Sequence, residues 1–474
     1  MFDTIIKNGC IVTMNGEREI LNSSSLGIKD GKIAAIGKEL GDNGSEIVDG
    51  AGHFILPGFV NTHTHVYQAL IKGVGYDMHF NPWNIRYLVP IISKMNPRHA
   101  RVSARLNAIE MIKSGTTSFS DHWYLHTDFD NIESVTEAFD QAGLRAQMIF
   151  GFLNESFAGR SDTSDSNQVL KEDGELLERA SDFIKRRHGW NLTTVGLGPG
   201  STEDVGTDLF KKIIKLGKSS HVPLVTHIAG WVEIVSRSME RYGMRDLEYA
   251  HSLGFTGENS IAIHGVWLSP DEIEILAETG TAVAHNPVAN MHLGYGIAPI
   301  PEMLRAGVKV GLGSDGAASY TCDMLEIGKT AAMLQKVRKM DAEALTAEKT
   351  LEMLTLGGAA VLGQSGETGS LEVGKSADLI MIDRNRPHIL SGGRAVPQIL
   401  YSARGSDVVA TMVNGKFLMK ESKVLSLNEE EVIREAEVCR AELLEAGGEK
   451  TRSLLDAGWP VSGASWRGKN GKIS

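Results

Sequence analysis

The sequence predicts an α/β protein: a (β/α)8 TIM-like barrel with a small β-sandwich domain built from both chain ends. Three observations predict it. Eight apolar runs of strand length recur between longer helical stretches in the middle of the chain. Alternating, turn-punctuated runs occupy residues 3–57 and return near residues 369–425. The 474 residues, 42% of them hydrophobic, exceed what a barrel of about 250 residues needs and leave room for a second, smaller unit. The expected division is a sandwich from residues 1–57 with 365–426, a barrel over 58–364, and a helical tail over 427–474.

The first segment reads TIIKNGCIVTM, SLGIKDGKIAAIG and EIVDGAGHFILPG, broken at Asn8-Gly9, Asn15-Gly16, Asp30-Gly31 and Asp49-Gly50. Such pairs favour the positive backbone angles of hairpin turns. The late segment, GSLEVGKSADLIMID and DVVATMVNGKFLMKESKVL, repeats the pattern with a turn at Asn414-Gly415. Between them lie FVNTHTH, TSFSDHW, RAQMIFGF, TVGLGPG, PLVTHIA, SIAIHGV, TAVAHNP and VKVGLGSD. Strands buried on both faces of a parallel sheet have this near-continuous apolar character. The run NEEEVIREAEVCRAELLEAGGEK has helical periodicity, and its acidic start suits the positive end of a helix dipole. It is expected to pack on the outside or to join an oligomer contact.

The formal net charge of -11 supplies no basic field for a phosphate backbone, so nucleic acid is not expected as a partner. Cys10, Cys322 and Cys439 show no C-x-x-C spacing, which suits a reducing compartment and a cytoplasmic location. The N-terminus lacks signal-peptide character, and no apolar stretch is long enough to span a membrane.

Catalytic groups of a parallel barrel stand where its strands end. His63 and His65 end the first run, and strand alternation puts both on one face; His227 ends PLVTH, His264 ends SIAIH and Asp315 ends VKVGLGSD. Each has a plain structural reading, since H-x-H recurs by chance, His227 could be a core histidine and Asp315 could cap a helix. Their coincidence at separate strand ends favours one metal site, and histidines with a single carboxylate suit Zn2+.

These motifs are the ones that carry a family resemblance. ILPGFVNTHTH, VTHIA, IAIHGVWLS, the segment VAHNPVANMHLGYGIAPIPEMLRAGVKVGLGSDGAAS, GSLEVGKSADLIMID and VPQILYSARGSDVVATMVNGK together resemble the ATZ/TRZ branch of the amidohydrolase superfamily. That branch includes hydrolytic deaminases of nucleoside-like and guanine-like rings and hydrolases of chlorinated triazines. The resemblance implies one metal ion per chain on His63, His65, His227 and Asp315. Zn2+ is expected, with Fe2+, Mn2+ or Co2+ as alternatives. It also implies that His264 contacts the reacting water or substrate; beside an ion that acidifies water, Asp315 can take the water proton and later hand it to the leaving group, as base and then acid.

The sequence departs from the family twice. The family's deaminases carry a Glu three residues after the strand 5 His, where this chain has Gly230; Glu233, one helical turn on, reads as a helix residue. The family's Pro-His pair on strand 4 aligns with Pro199-Gly200, and Glu203 stands where an aromatic is typical. Without the Glu, attack on a polarised carbonyl is favoured over protonation of a ring nitrogen, so the expected reaction is cleavage of a carbon-nitrogen bond in a small amide, urea or carbamate. The alternative is deamination or dechlorination of an N-heterocycle of triazine, purine or pterin type. A non-enzymatic binding protein that kept the barrel is disfavoured by the complete ligand set. Expected substrate contacts are Gln68, Trp83, His122, Glu203 and Asn290, with Tyr67, Trp123 and Met291 near the same rim. His285 is expected to support the site from behind. A small-molecule substrate and a homo-oligomer, dimer or tetramer, complete the expectations.

Overall fold

The computed structural model describes residues 1–155, 169–316, 319–390 and 392–456. Its first sheet takes strands from both ends of the chain. From the start come β1 (Phe2–Val12), β2 (Ile20–Lys29), β3 (Lys32–Gly37), β4 (Gly44–Asp49) and β5 (His53–Pro57). The barrel strands are β6 (Phe59–Thr64), β7 (Thr116–Trp123), β8 (Arg145–Phe152), β9 (Thr193–Pro199), β10 (Leu224–Ile228), β11 (Ser260–His264), β12 (Ala282–His285) and β13 (Val310–Leu312). The late strands β14 (Leu379–Asp383), β15 (Val408–Val413), β16 (Lys416–Lys420) and β17 (Lys423–Val424) return to the first sheet. Its nine strands run β17-β16-β15-β14-β5-β1-β2-β3, with β4 beside β1. The two chain ends meet where β14 pairs antiparallel with β5.

Two of the expected hairpin turns form as written. Asp30 and Gly31 join β2 to β3 with φ of 50° and 76°, and Asn414 and Gly415 join β15 to β16 with 48° and 75°. Asn8-Gly9 does not reverse the chain. It lies inside β1, where the register against β2 shifts between Ile6 and Gly9, and Asn8 takes φ 61°. The pair makes a bulge, because apolar residues on both sides of it continue to pair with β2.

All eight apolar runs of the middle segment become barrel strands, ordered sequentially from β6 to β13 and parallel throughout. Most of their residues are buried, as strands covered by a filled barrel and an outer layer of helices must be. The ring closes between β13 and β6 through a parallel bridge of Thr64 with Asp315, and the Asp315 amide donates to the His63 carbonyl at 2.9 Å. Arg145 ties barrel to sheet, reaching Asp378 at 3.0 Å from a buried position. The helix Glu429–Ala446, capped by Asn428, packs on the helix Pro97–Lys113 through Arg105–Glu435 and His99–Glu442 pairs, both at 2.8 Å. Residues 457–474 of the expected tail lie outside the described residues. All three cysteines are buried free thiols. Among the described residues no helix is long and apolar enough to cross a membrane.

Candidate metal centre

His63 projects from β6, His65 from the residue that directly follows it, His227 from β10, and Asp315 from the turn after β13. Their ligand atoms all lie within 4.8 Å of one another, and all four residues are buried. Asp315 Oδ1 stands 3.4 Å from Nε2 of both His63 and His65. His65 Nδ1 donates to the His122 carbonyl at 2.8 Å, and His227 Nδ1 donates to the Gly200 carbonyl. Those bonds fix the proton on Nδ1 and leave Nε2 as a lone pair. The two Nε2 atoms then face each other at 3.4 Å, and the buried His63 Nε2 points at the same place, 3.4 Å from Asp315 Oδ1. Lone pairs converging on one buried point repel unless a cation lies between them, so the donor set fits a divalent ion of borderline softness.

Electrostatics favour the ligating state at His65, His227 and Asp315. Burial, then the neighbouring His63, hold the His65 imidazole down at about 3, and burial also drives His227 well below the usual range. Burial pushes the Asp315 carboxyl up, but the His63 hydrogen bond and the imidazoles of His264, His63 and His65 outweigh it and hold the group well below the usual carboxylate range. Neutral imidazoles with one carboxylate are the states a metal needs.

His264 ends β11 above this cluster, its Nε2 3.9 Å from Asp315 Oδ2. Its Nδ1 bonds to Asn290 Oδ1 at 2.8 Å, which leaves Nε2 as an acceptor facing the recess. Burial holds this ring at about 4. Backbone strain concentrates here, with φ of 47° at Ala229, 74° at His264 and 60° at Asp315.

A recess opens above the cluster. Gln68 and Trp83 line it as expected, together with Phe80, Tyr124, Asp204, Trp231 and Tyr295, none of which the sequence patterns marked. Phe80, Trp231 and Tyr295 form one aromatic wall, with Trp231 stacked on Tyr295 at 5.5 Å and 29°. The other expected contacts lie elsewhere. His122 is fully buried within β7, beneath the cluster, and stacks on His227 at 5.5 Å. Glu203 turns away to form a two-pronged ion pair with Arg237, at 2.6 and 2.9 Å. Asn290 is buried behind His264 and orients it, and Met291 is exposed. His285 is buried beside His264.

The amidohydrolase family model matches residues 54–418. The chain belongs to the amidohydrolase family. It is 36% identical to a 5'-deoxyadenosine deaminase of Methanobrevibacter smithii over 93% of this chain and 98% of that one. It is 35% identical to a 5-methylthioadenosine/S-adenosylhomocysteine deaminase of Bacillus cereus over 91% and 98%. Among solved structures, a zinc-bound adenosine deaminase from Xanthomonas campestris superposes with a TM-score of 0.87 at 26% identity, covering 93% of this chain and 98% of that one. Within this amidohydrolase, Gly200 and Gly230 leave space that neighbouring side chains fill. The room a side chain at 200 would occupy is filled by Asp204, whose Oδ2 stands 2.5 Å from the β-carbon position, and by Tyr124 at 3.2 Å. The room at 230 is taken by the His264 ring.

Proposed function

We propose that this amidohydrolase uses one divalent ion, zinc by preference, to hydrolyse the exocyclic carbon-nitrogen bond of a planar amino-heterocycle and release ammonia. The observation that carries the reading is the aromatic wall of Phe80, Trp231 and Tyr295 set against the ligand cluster, a surface that suits a flat ring. Trp231 Nε1 is buried without a partner among the described residues and would supply a donor for a ring heteroatom. The full-length similarity to adenosine-type deaminases supports the same class.

His63, His65, His227 and Asp315 would hold the ion, which would supply the acidification of water, toward a pKa of about 7, that makes a nucleophile available at neutral pH. Asp315, held ionised, would accept a proton from the attacking water and pass it to the departing nitrogen. His264, fixed by Asn290, accepts a hydrogen bond at Nε2 and orients the attacking group. The aromatic wall excludes solvent from the opposite face of the ring.

A second reading, cleavage of an amide, urea or carbamate, is supported by Gly230, which offers no side chain to the recess. Parallel assays separate the two. Ammonia released from 5'-deoxyadenosine, a pterin or an aminotriazine, with the ring intact, supports the first; turnover of open-chain ureas and amides with no ring deamination overturns it.

A homo-oligomer is part of the proposal. Met333, Val337 and Met340 form a stripe at helical spacing with exposures of 47, 75 and 94%. Sedimentation of wild type beside Val337→Glu tests it, a monomeric wild type counting against it. The cytoplasmic location expected from the cysteine pattern belongs with this reading.

A further inference from the structure

The reaction proposed above needs two proton carriers, because water's protons must reach the departing amine while the ring nitrogen next to the reacting carbon gains one of its own. Among the described residues that line the recess there are two carboxyl groups, Asp315 and Asp204. Asp315 belongs to the ligand cluster. We infer that Asp204 is the second carrier, the group that gives a proton to the ring nitrogen. The inference rests on the hydrolase reading, though not on which heterocycle is the substrate.

The geometry of the loop after β9 carries it. Asp204 is firmly held, its amide donating to the Ser201 carbonyl at 3.2 Å and its carbonyl accepting from the amides of Asn154 and Glu155, both at 3.1 Å. Its side chain folds over Gly200, the residue whose carbonyl holds His227. The carboxyl therefore stands one residue's width from a ligand imidazole, and only glycine at 200 leaves it that space. Tyr124 stands on the same side of the recess, 3.2 Å from where a β-carbon on residue 200 would lie. The adjacent acid, Glu203, is engaged with Arg237.

The protons and electrons balance as follows. Water oxygen bonds to the carbon bearing the amino group, the C=N electron pair moves to the ring nitrogen, and that nitrogen takes the proton of Asp204. One water proton goes to Asp315 and then to the amino group, which leaves as ammonia with the electrons of the broken C–N bond. The remaining hydroxyl proton returns to Asp204 as the carbonyl forms. Amine plus water has become carbonyl plus ammonia.

The test compares zinc-loaded wild type with Asp204→Asn and Asp204→Ala on whichever C–N substrate wild type turns over best. Asp204→Asn is expected to lower kcat by about 100-fold or more, with KM, zinc content and melting temperature little changed. Added formate is expected to restore turnover to Asp204→Ala in a saturable way, which a structural role would not produce. The pair Asp204→Glu and Asp204→Gln makes the same comparison at matched side-chain length should the shorter variants fold poorly, with only the Glu variant active. The inference is overturned if the amides retain wild-type kcat, if the loss is carried by KM alone, or if formate has no effect. A wild type that prefers open-chain ureas overturns the heterocycle reading instead, and Asp204 is then tested on the urea nitrogen by the same variants.

Discussion

The His264 ring stands 3.0 Å from the point where a β-carbon on residue 230 would lie. Gly230 therefore sets the position of the imidazole that faces Asp315, and a larger residue there displaces it. Gly230→Ala is expected to lower kcat by about 10-fold, with an overpacking cost of about 1–3 kcal/mol, because the ring must yield a few tenths of an ångström while Asn290 holds its other side. Zinc content should be unchanged, since His264 lies outside the ligand cluster. Steady-state kinetics with metal analysis checks this; unchanged kcat would show that the contact is slack.

Metal retention depends on every corner of the cluster. His63→Ala and His227→Ala are each expected to drop bound zinc from about one ion per chain to a small fraction, because catalytic zinc sites have few protein ligands to spare. Elemental analysis after dialysis measures it, and full occupancy in both variants would refute the ligand assignment.

Asp315→Asn separates proton transfer from structure. The amide keeps an oxygen near the ion but cannot accept and return a proton. Turnover is expected to fall by about 100-fold or more even with zinc in excess, a typical cost of losing a general base. Near-normal kcat with a lowered melting temperature would reduce Asp315 to a turn-forming residue.

Asp246 offers a pH test away from the ligands. Burial, partly offset by a hydrogen bond from the Ala229 amide at 2.6 Å, pushes its carboxyl up to about 7 from 3.8. The folded state therefore holds a proton that the unfolded chain has lost, so this group's stabilisation is complete below about pH 4 and disappears as pH rises through 7. In Asp246→Asn that dependence is absent while an oxygen still accepts from Ala229. The melting temperature of the variant should gain on wild type between pH 4 and 8, and parallel curves would show that Asp246 is ionised in the fold.

Much of this was legible because period and position carried it. The eight middle runs became the barrel strands because continuous burial leaves a continuous apolar signature, and polar residues at their ends stood out against it. Asn8-Gly9 misled because a bulge and a hairpin use the same backbone angles, and only the pairing of Ile6 and Gly9 with β2 tells them apart. The recess was harder to read. Phe80, Tyr124, Trp231 and Tyr295 lie outside the barrel strands, on segments without a two-residue period. Glu203 and Asp204 are adjacent acids of which one faces Arg237 and the other the recess, a choice made by the turn at Ser201 rather than by composition. Asn290 was marked for substrate because it follows a strand, yet its oxygen is used on His264.

The barrel's circumference is weakest where β13, three residues long, meets β6 through a single bridge, Thr64 with Asp315. His63 and His65 stand on one side of that join and Asp315 on the other. An ion bound to all three works as a rivet across the staves, and removing it loosens the cask at its thinnest joint. Amide hydrogens along β6 and β13 should accordingly exchange sooner than those of β8 and β9 when the protein is stripped with a chelator, which makes hydrogen exchange at this one join a gauge of metal loading that needs no substrate.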